Sequence, residues 1–148
     1  MRAAPGRLQG GSEQAVVLIV DVTGPRVLVA DDEDDIRALV ALAVGKAGCT
    51  VLASVADGSA ALDVARVQLP DLAVLDVSMP GATGLEVCSA LRADPATAGI
   101  RILLLSAGAS LDDVAAGLAA GADAYLAKPF RVADLVAQVR SLTVRQLA

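Results

Sequence analysis

Histidine and tryptophan are absent from the sequence, and its only aromatic side chains are Tyr125 and Phe130. Without an imidazole the chain supplies neither a histidine base nor a histidine-ligated metal. Without rings to fill it, a core must be built from Val, Leu, Ile and Ala, a composition that suits β-branched strands covered by alanine-rich helices. Cys49 and Cys88 show no metal-ligand spacing and no secretory context, so they read as small buried or half-buried thiols without a function. No cluster of basic residues interrupts a net charge of -5, which argues against nucleic acid or an anionic membrane as a direct partner. Long apolar runs are also missing: none spans a bilayer, and Val16 to Val20 lacks the length and cleavage site of a signal peptide. A cytoplasmic protein with no membrane contact is expected.

What remains is a chain of 148 residues, 55% of them apolar, enough for one domain with a real core. Residues 1–24 read as an N-terminal extension. Pro5, Gly6, Gly10, Gly11 and Ser12 suggest flexibility, whereas Val16-Val17-Leu18-Ile19-Val20 reads as a short strand. That run can add an edge strand, pair between two chains to make a homodimer, or pack over a helix.

Residues 25–148 form the second unit, in which a strand alternates with a helix five times. Strands are expected at Val27 to Ala30, Thr50 to Ala53, Leu72 to Leu75, Arg101 to Leu105 and Ala124 to Ala127. The first helix runs from about Glu33 to Ala47 on a stripe of Ile36, Leu39, Val40, Ala43 and Val44, and Gly48 ends it. Asp57 caps a helix carrying Ala61, Leu62, Ala65 and Leu69, which Pro70 terminates. Thr83-Gly84-Leu85-Glu86 has capping-box spacing, Ser110 opens the next helix with Asp112 and Asp113 in its first turn, and Gly121 closes it. Val132, Leu135, Val136, Val139 and Leu142 share one face of the last helix. Strands that lack polar alternation and are each followed by a helix indicate a parallel sheet covered on both faces, and right-handed crossovers make this a doubly wound α/β fold.

Chemistry is concentrated where the apolar runs stop. Asp31-Asp32 follow the first, Asp76 the third, Ser106 the fourth and Lys128-Pro129 the fifth. If the runs are neighbouring parallel strands, three carboxylates, a hydroxyl and an ammonium meet at the carboxyl edge, where open α/β sheets bind ligands. Asp31 and Asp32 taken alone can equally cap the helix after them. With Asp76 beside them they repel, and Mg²⁺ relieves the repulsion through oxygen ligation, waters and phosphate oxygens. The chain has two lysines, Lys46 and Lys128, against ten arginines. Lys128 is held between a strand and Pro129, and its compact charge suits a phosphate oxygen. Ser106 offers a hydroxyl to the same group, or serves only as a turn residue.

Four segments carry a resemblance: Val27-Leu28-Val29-Ala30-Asp31-Asp32-Glu33, Leu75-Asp76-Val77-Ser78-Met79-Pro80-Gly81, Leu105-Ser106-Ala107 and Tyr125-Leu126-Ala127-Lys128-Pro129-Phe130. In this order and spacing the chain, from Arg26 to about Val144, resembles the receiver domain of bacterial two-component response regulators. The resemblance implies a flavodoxin-like, five-stranded sheet of order 2-1-3-4-5 with helices on both faces. It implies that Asp76 accepts a phosphoryl group from a sensor histidine kinase or a phosphotransfer protein. Asp32, Asp76 and the carbonyl of Ser78 would coordinate Mg²⁺, with Asp31 acting mainly through a bound water. Ser106 and Lys128 would hold the phosphoryl oxygens, and Ser106 and Tyr125 would form the switch that re-shapes a face for a downstream protein partner. The chain's enzymology would be limited to its own phosphorylation and dephosphorylation.

Two small residues, Ser78 and Gly108, stand where receivers vary, and should leave an attacking water fairly unobstructed. Val17-Leu18-Ile19-Val20-Asp21 mimics a receiver first strand, but Val22 follows where a second acid is wanted, so the later register is kept. The short stretch after the last helix leaves no room for an output domain, so either a stand-alone receiver or a piece of a larger regulator is expected. Two rivals are an aspartate-nucleophile phosphatase and a phosphorylation-independent interaction module. The first lacks its second acid in Asp76-Val77-Ser78. The second has no need of Asp32, Asp76, Ser106 and Lys128 together.

Overall fold

The computed structural model describes residues 24–108 and 110–144. The expectations for residues 1–23, including the strand-like run at Val16 to Val20, lie outside the described residues. Five strands alternate with five helices: β1 (Arg26–Ala30), α1 (Asp34–Lys46), β2 (Thr50–Val55), α2 (Gly58–Gln68), β3 (Leu72–Asp76), α3 (Gly84–Ala93), β4 (Arg101–Ser106), α4 (Leu111–Ala119), β5 (Ala124–Ala127) and α5 (Val132–Thr143). The strands pair in parallel in the order β2-β1-β3-β4-β5. This is the expected doubly wound sheet.

Successive side chains of a strand face opposite sides of a sheet, and here both sides are buried. Val27 and Val29 of β1, Leu72 and Val74 of β3, and Leu103 and Leu105 of β4 pack under α1 and α5. The alternate residues Leu28, Ala30, Ala73, Leu75, Ile102 and Leu104 pack under α2 and α3. Full burial of a Leu or Val side chain contributes about 1.5–3 kcal/mol. The central strands are therefore the rigid part of the molecule, whereas the edge strands β2 and β5 are only half-buried.

Helix boundaries follow local chemistry. Asp57 accepts the Ala60 N–H at 2.8 Å, and full capping boxes form at Thr83 with Glu86 and at Ser110 with Asp113. Two expectations need correction. Leu69 is not a helical core position: α2 stops at Gln68, and Leu69 takes a left-handed φ of 49° at the C-cap, because Pro70 disfavours helical backbone before it. Leu39 lies at the margin of the α1 stripe and is exposed, while Val40, Ala43 and Val44 are buried.

The strands also run further toward their carboxyl ends than the apolar runs suggest. Asp76 pairs with Leu105 and Ser106 with Ala127, so both polar residues end their strands rather than opening loops. Ladder pairing uses backbone atoms and ignores side-chain polarity. At this edge α3 begins almost against β3: a Cβ at Gly84 would clash with the Asp76 carbonyl oxygen and stand 2.9 Å from the Val77 Cα. Gly84→Ala is accordingly expected to cost about 1–3 kcal/mol by overpacking. Gly99→Ala, with nothing within 4 Å of the added carbon, should stay within about 0.5 kcal/mol of wild type. Urea midpoints of the two variants check the contrast; equal midpoints would mean that α3 is free to move away from β3.

Candidate phosphoryl-transfer and metal site

The carboxyl edge of β1, β3 and β5 gathers an open pocket of about 260 Å³, lined by Asp32, Glu33, Asp76, Ser78, Ala107 and Lys128. Asp31 is wholly buried. Its backbone N–H continues the β1–β2 ladder by donating to the Val55 carbonyl at 3.1 Å, and its Oδ1 accepts the Glu33 N–H at 2.9 Å. Helix capping is not what Asp31 and Asp32 do. The N-cap of α1 is Glu33, which makes no side-chain capping bond, and Asp32 is exposed in the pocket mouth. Asp76 is almost fully buried and receives the Ser78 N–H on Oδ1 at 3.3 Å.

Lys128 is aimed at this cluster by the sheet itself: its N–H donates to the Ser106 carbonyl at 2.7 Å. Its Nζ lies 3.0 Å from Asp31 Oδ2, 3.0 Å from Glu33 Oε1 and 3.4 Å from Asp76 Oδ1. Glu33 was assigned no role from the sequence. The available signal was a glutamate at the residue before a helix, where Ser, Thr, Asp or Asn would cap it.

Three observations bear on a cation. One carboxylate oxygen from each of Asp31, Asp32 and Asp76 lies within 4.8 Å of the others. All are hard oxygen donors of the type that Mg²⁺ prefers. Asp31 Oδ2 is buried and, although beside the ammonium, has no hydrogen-bond partner. A buried acceptor left unsatisfied is costly, and an ion or its water would satisfy it. The residues fit such a cation.

Burial, and then the charge of Asp31, raise the Asp76 pKa from 3.8 to about 6, against the opposing pull of Lys128 and the Ser78 N–H. For Lys128, burial works against the ammonium, but the adjacent carboxylates of Glu33, Asp31 and Asp76 outweigh it and raise its pKa. Lys128 is thus fully charged at neutral pH. The two thiols are pushed up by burial, in keeping with inert cysteines.

Ser106 and Tyr125 sit at the rim of the same edge and are joined through one residue. Ser106 Oγ accepts the Gly108 N–H at 3.0 Å, and the Tyr125 hydroxyl donates to the Gly108 carbonyl at 2.5 Å. Tyr125 is half-buried against the core under α2 and α3 rather than lying on the surface. Ser78 is exposed beside Asp76. Of the residues singled out in the sequence, Asp32, Asp76, Ser78 and Lys128 line the pocket and Asp31 is buried beside Lys128, whereas Ser106 and Tyr125 are not part of the lining.

The sequence matches the family model of the response regulator receiver domain over residues 27–140. It is 46% identical over 125 residues to the transcriptional regulatory protein PrrA of Mycobacterium tuberculosis, covering 84% of this chain and 52% of the relative. It is 39% identical over 122 residues to the DNA-binding response regulator MtrA of Mycolicibacterium smegmatis, covering 82% and 52%. The chain thus spans about half the length of these relatives. Among solved structures, the signal receiver domain of NarL from Mycobacterium tuberculosis superposes with a TM-score of 0.76 at 34% identity, covering 81% of this chain and 96% of that one.

The raised pKa sets a pH dependence. Between pH 3.8 and about 6 the native state holds a proton that the unfolded state has lost, so this group's contribution to stability falls as pH rises through that window and is flat above it. In chelator at pH 7, Asp76→Asn should be more stable than wild type by on the order of 1–3 kcal/mol. The advantage should shrink as pH falls through 6 toward 4. Denaturation curves at several pH values check this, and a pH-independent difference would show that the carboxylate is not strained.

Proposed function

The chain belongs to the response regulator receiver domain family of two-component systems, and from that premise we propose that it is a switch loaded by phosphorylation of Asp76. The observation that carries the reading is the Lys128 ammonium 3.4 Å from a buried Asp76 that borders an open pocket. The donor in this reading is the phosphohistidine of a sensor kinase or of a phosphotransfer protein. An Asp76 carboxylate oxygen bonds to phosphorus in line as the phosphorus–nitrogen bond breaks, and the electron pair leaves on the imidazole. The product is an acyl phosphate on Asp76. Lys128 is placed to offset charge on the phosphoryl oxygens, so the chain's contribution is positioning plus electrostatics. Hydrolysis of that acyl phosphate at the same site would reset the switch, with Ser78 and Gly108 leaving room for water.

Mg²⁺ would be held by Asp32, Asp76 and the Ser78 carbonyl, with Asp31 acting mainly through a water. When bound, it supplies positive charge to the phosphoryl oxygens and relieves repulsion among the carboxylates.

Signalling would follow the bonds around Gly108. If Ser106 turns to a phosphoryl oxygen, it gives up the Gly108 N–H, while the Gly108 carbonyl is tied to Tyr125. The loop, α4 and the Tyr125 side of β5 then shift together, and a protein partner reads the change. PrrA and MtrA are a transcriptional and a DNA-binding regulator by name; the half of each matched here is the receiver, and we assign it no DNA contact. Among the described residues no helix is long and apolar enough to cross a membrane, and the proposed location is the cytoplasm. A phosphatase reading is less well supported, because Ser78 stands where the second acid is needed.

Acetyl phosphate with Mg²⁺ should add one phosphoryl group, seen as an intact-mass shift, and Asp76→Asn should abolish it. Labelling that persists in Asp76→Asn would move the acceptor elsewhere. Millimolar Mg²⁺ should also raise the melting temperature of the wild type through ligand linkage, and Asp32→Ala should lose most of that rise. A midpoint indifferent to Mg²⁺ in both proteins would remove the metal from the mechanism.

A further inference from the structure

Glu33 occupies the N-cap of α1, yet spends nothing on the helix: no side-chain capping bond is made there. A favoured cap residue would contribute about 1 kcal/mol at this position. The carboxylate instead crosses to the end of β5, 95 residues on in the chain, and meets Lys128 Nζ at 3.0 Å. Lys128 thus has three anionic neighbours, and they are not equivalent. Asp31 and Asp76 are buried and belong to the carboxylate cluster that fits a cation. Glu33 stands outside that cluster, and its side chain is 62% exposed. It is the neighbour that can leave at least cost, because water solvates it as soon as it lets go.

We propose that Glu33 is a built-in counter-ion that competes with the incoming phosphoryl oxygens for the Lys128 ammonium, and so sets how readily the site loads. The inference rests on the phospho-acceptor reading above. In the unloaded protein Glu33 holds the ammonium at the pocket mouth. On loading, Lys128 turns its donors to the phosphoryl group, and the Glu33 carboxylate, now beside a new anion, swings into solvent. Exposed ion pairs are weak, so the competition amounts to a fold-change of about two to five in loading rather than a block. Glu33 in this view is a positioning residue acting through Lys128.

Beryllium fluoride, which mimics the acyl phosphate, is the probe, with its apparent dissociation constant read by calorimetry in Mg²⁺ on the full chain. Glu33→Gln should bind it about two- to five-fold more tightly than wild type. A negative charge near the pocket would weaken an anion even without touching Lys128, and two further variants separate these causes. Glu33→Asp keeps the charge but withdraws the carboxylate from Nζ, and should behave like Glu33→Gln. In a Lys128→Gln background the Glu33→Gln gain should vanish. Glu33→Asp matching wild type, a gain that survives without Lys128, or no gain at all in Glu33→Gln would each overturn the inference while leaving the acceptor reading intact. No binding by wild type or by any variant would overturn both.

Discussion

One ammonium among four carboxylates is the constraint on which the carboxyl edge depends. Lys128 touches Asp31, Glu33 and Asp76, while Asp32 lies across the same pocket. At an effective dielectric of about 20, the contacts to the buried carboxylates of Asp31 and Asp76 are each worth about 5 kcal/mol before desolvation. Such terms are large against the total stability of a domain. A single positive charge cannot balance four negative ones, and burial, together with the charge of Asp31, holds the proton on Asp76 up to a pKa of about 6. An added cation would relieve the crowding, and in the proposed switch phosphorylation would replace one crowded carboxylate by an acyl phosphate whose larger negative charge sits further out, on the phosphoryl oxygens.

That crowding is tolerable because it is confined to strand ends. β1, β3 and β4 are buried on both faces by aliphatic side chains, so the backbone that carries Asp31, Asp76 and Ser106 is fixed by packing remote from the charges. Side chains then have little freedom to separate. A site of this kind is preorganised by the sheet rather than by its carboxylates, which repel one another.

The sheet was legible because strands buried on both faces have no alternation to misread, and because proline, glycine and capping residues mark nearly every helix end. Strand ends were less so: Asp76 and Ser106 continue the ladder although their side chains look like loop residues. Leu69 looked apolar and periodic, yet Pro70 governs its backbone. For the candidate site, the sequence named Asp31, Asp32, Asp76, Ser106 and Lys128, since each lies at or just beyond the end of an apolar run, while Ser78 came from the family resemblance. Their shared edge depends on strand order, which the family resemblance supplied and local pattern could not. Glu33 escaped because exposed glutamates beside helices are ordinary, and only the distance to Lys128 distinguishes this one. Gly108 was singled out only for its small size, since its part in joining Ser106 to Tyr125 is played by backbone atoms.

The far end of that connection, α4, buries fewer residues than the other described helices. Only Gly117 of α4 is buried, while Leu111 and Leu118 are exposed, so few apolar contacts resist a displacement of this helix. Gly117 is also where α4 meets the switch: a Cβ there would stand 2.9 Å from the Tyr125 ring and 3.2 Å from Leu104 Cδ1. The missing side chain leaves the slot in which the ring lies. The slot has one wall in the buried strand β4 and the other in the exposed helix α4, so in the proposed switch α4 is the wall that would yield to a change in the position of Tyr125. A small rearrangement at Gly108 can in this way become movement of a whole exposed helix.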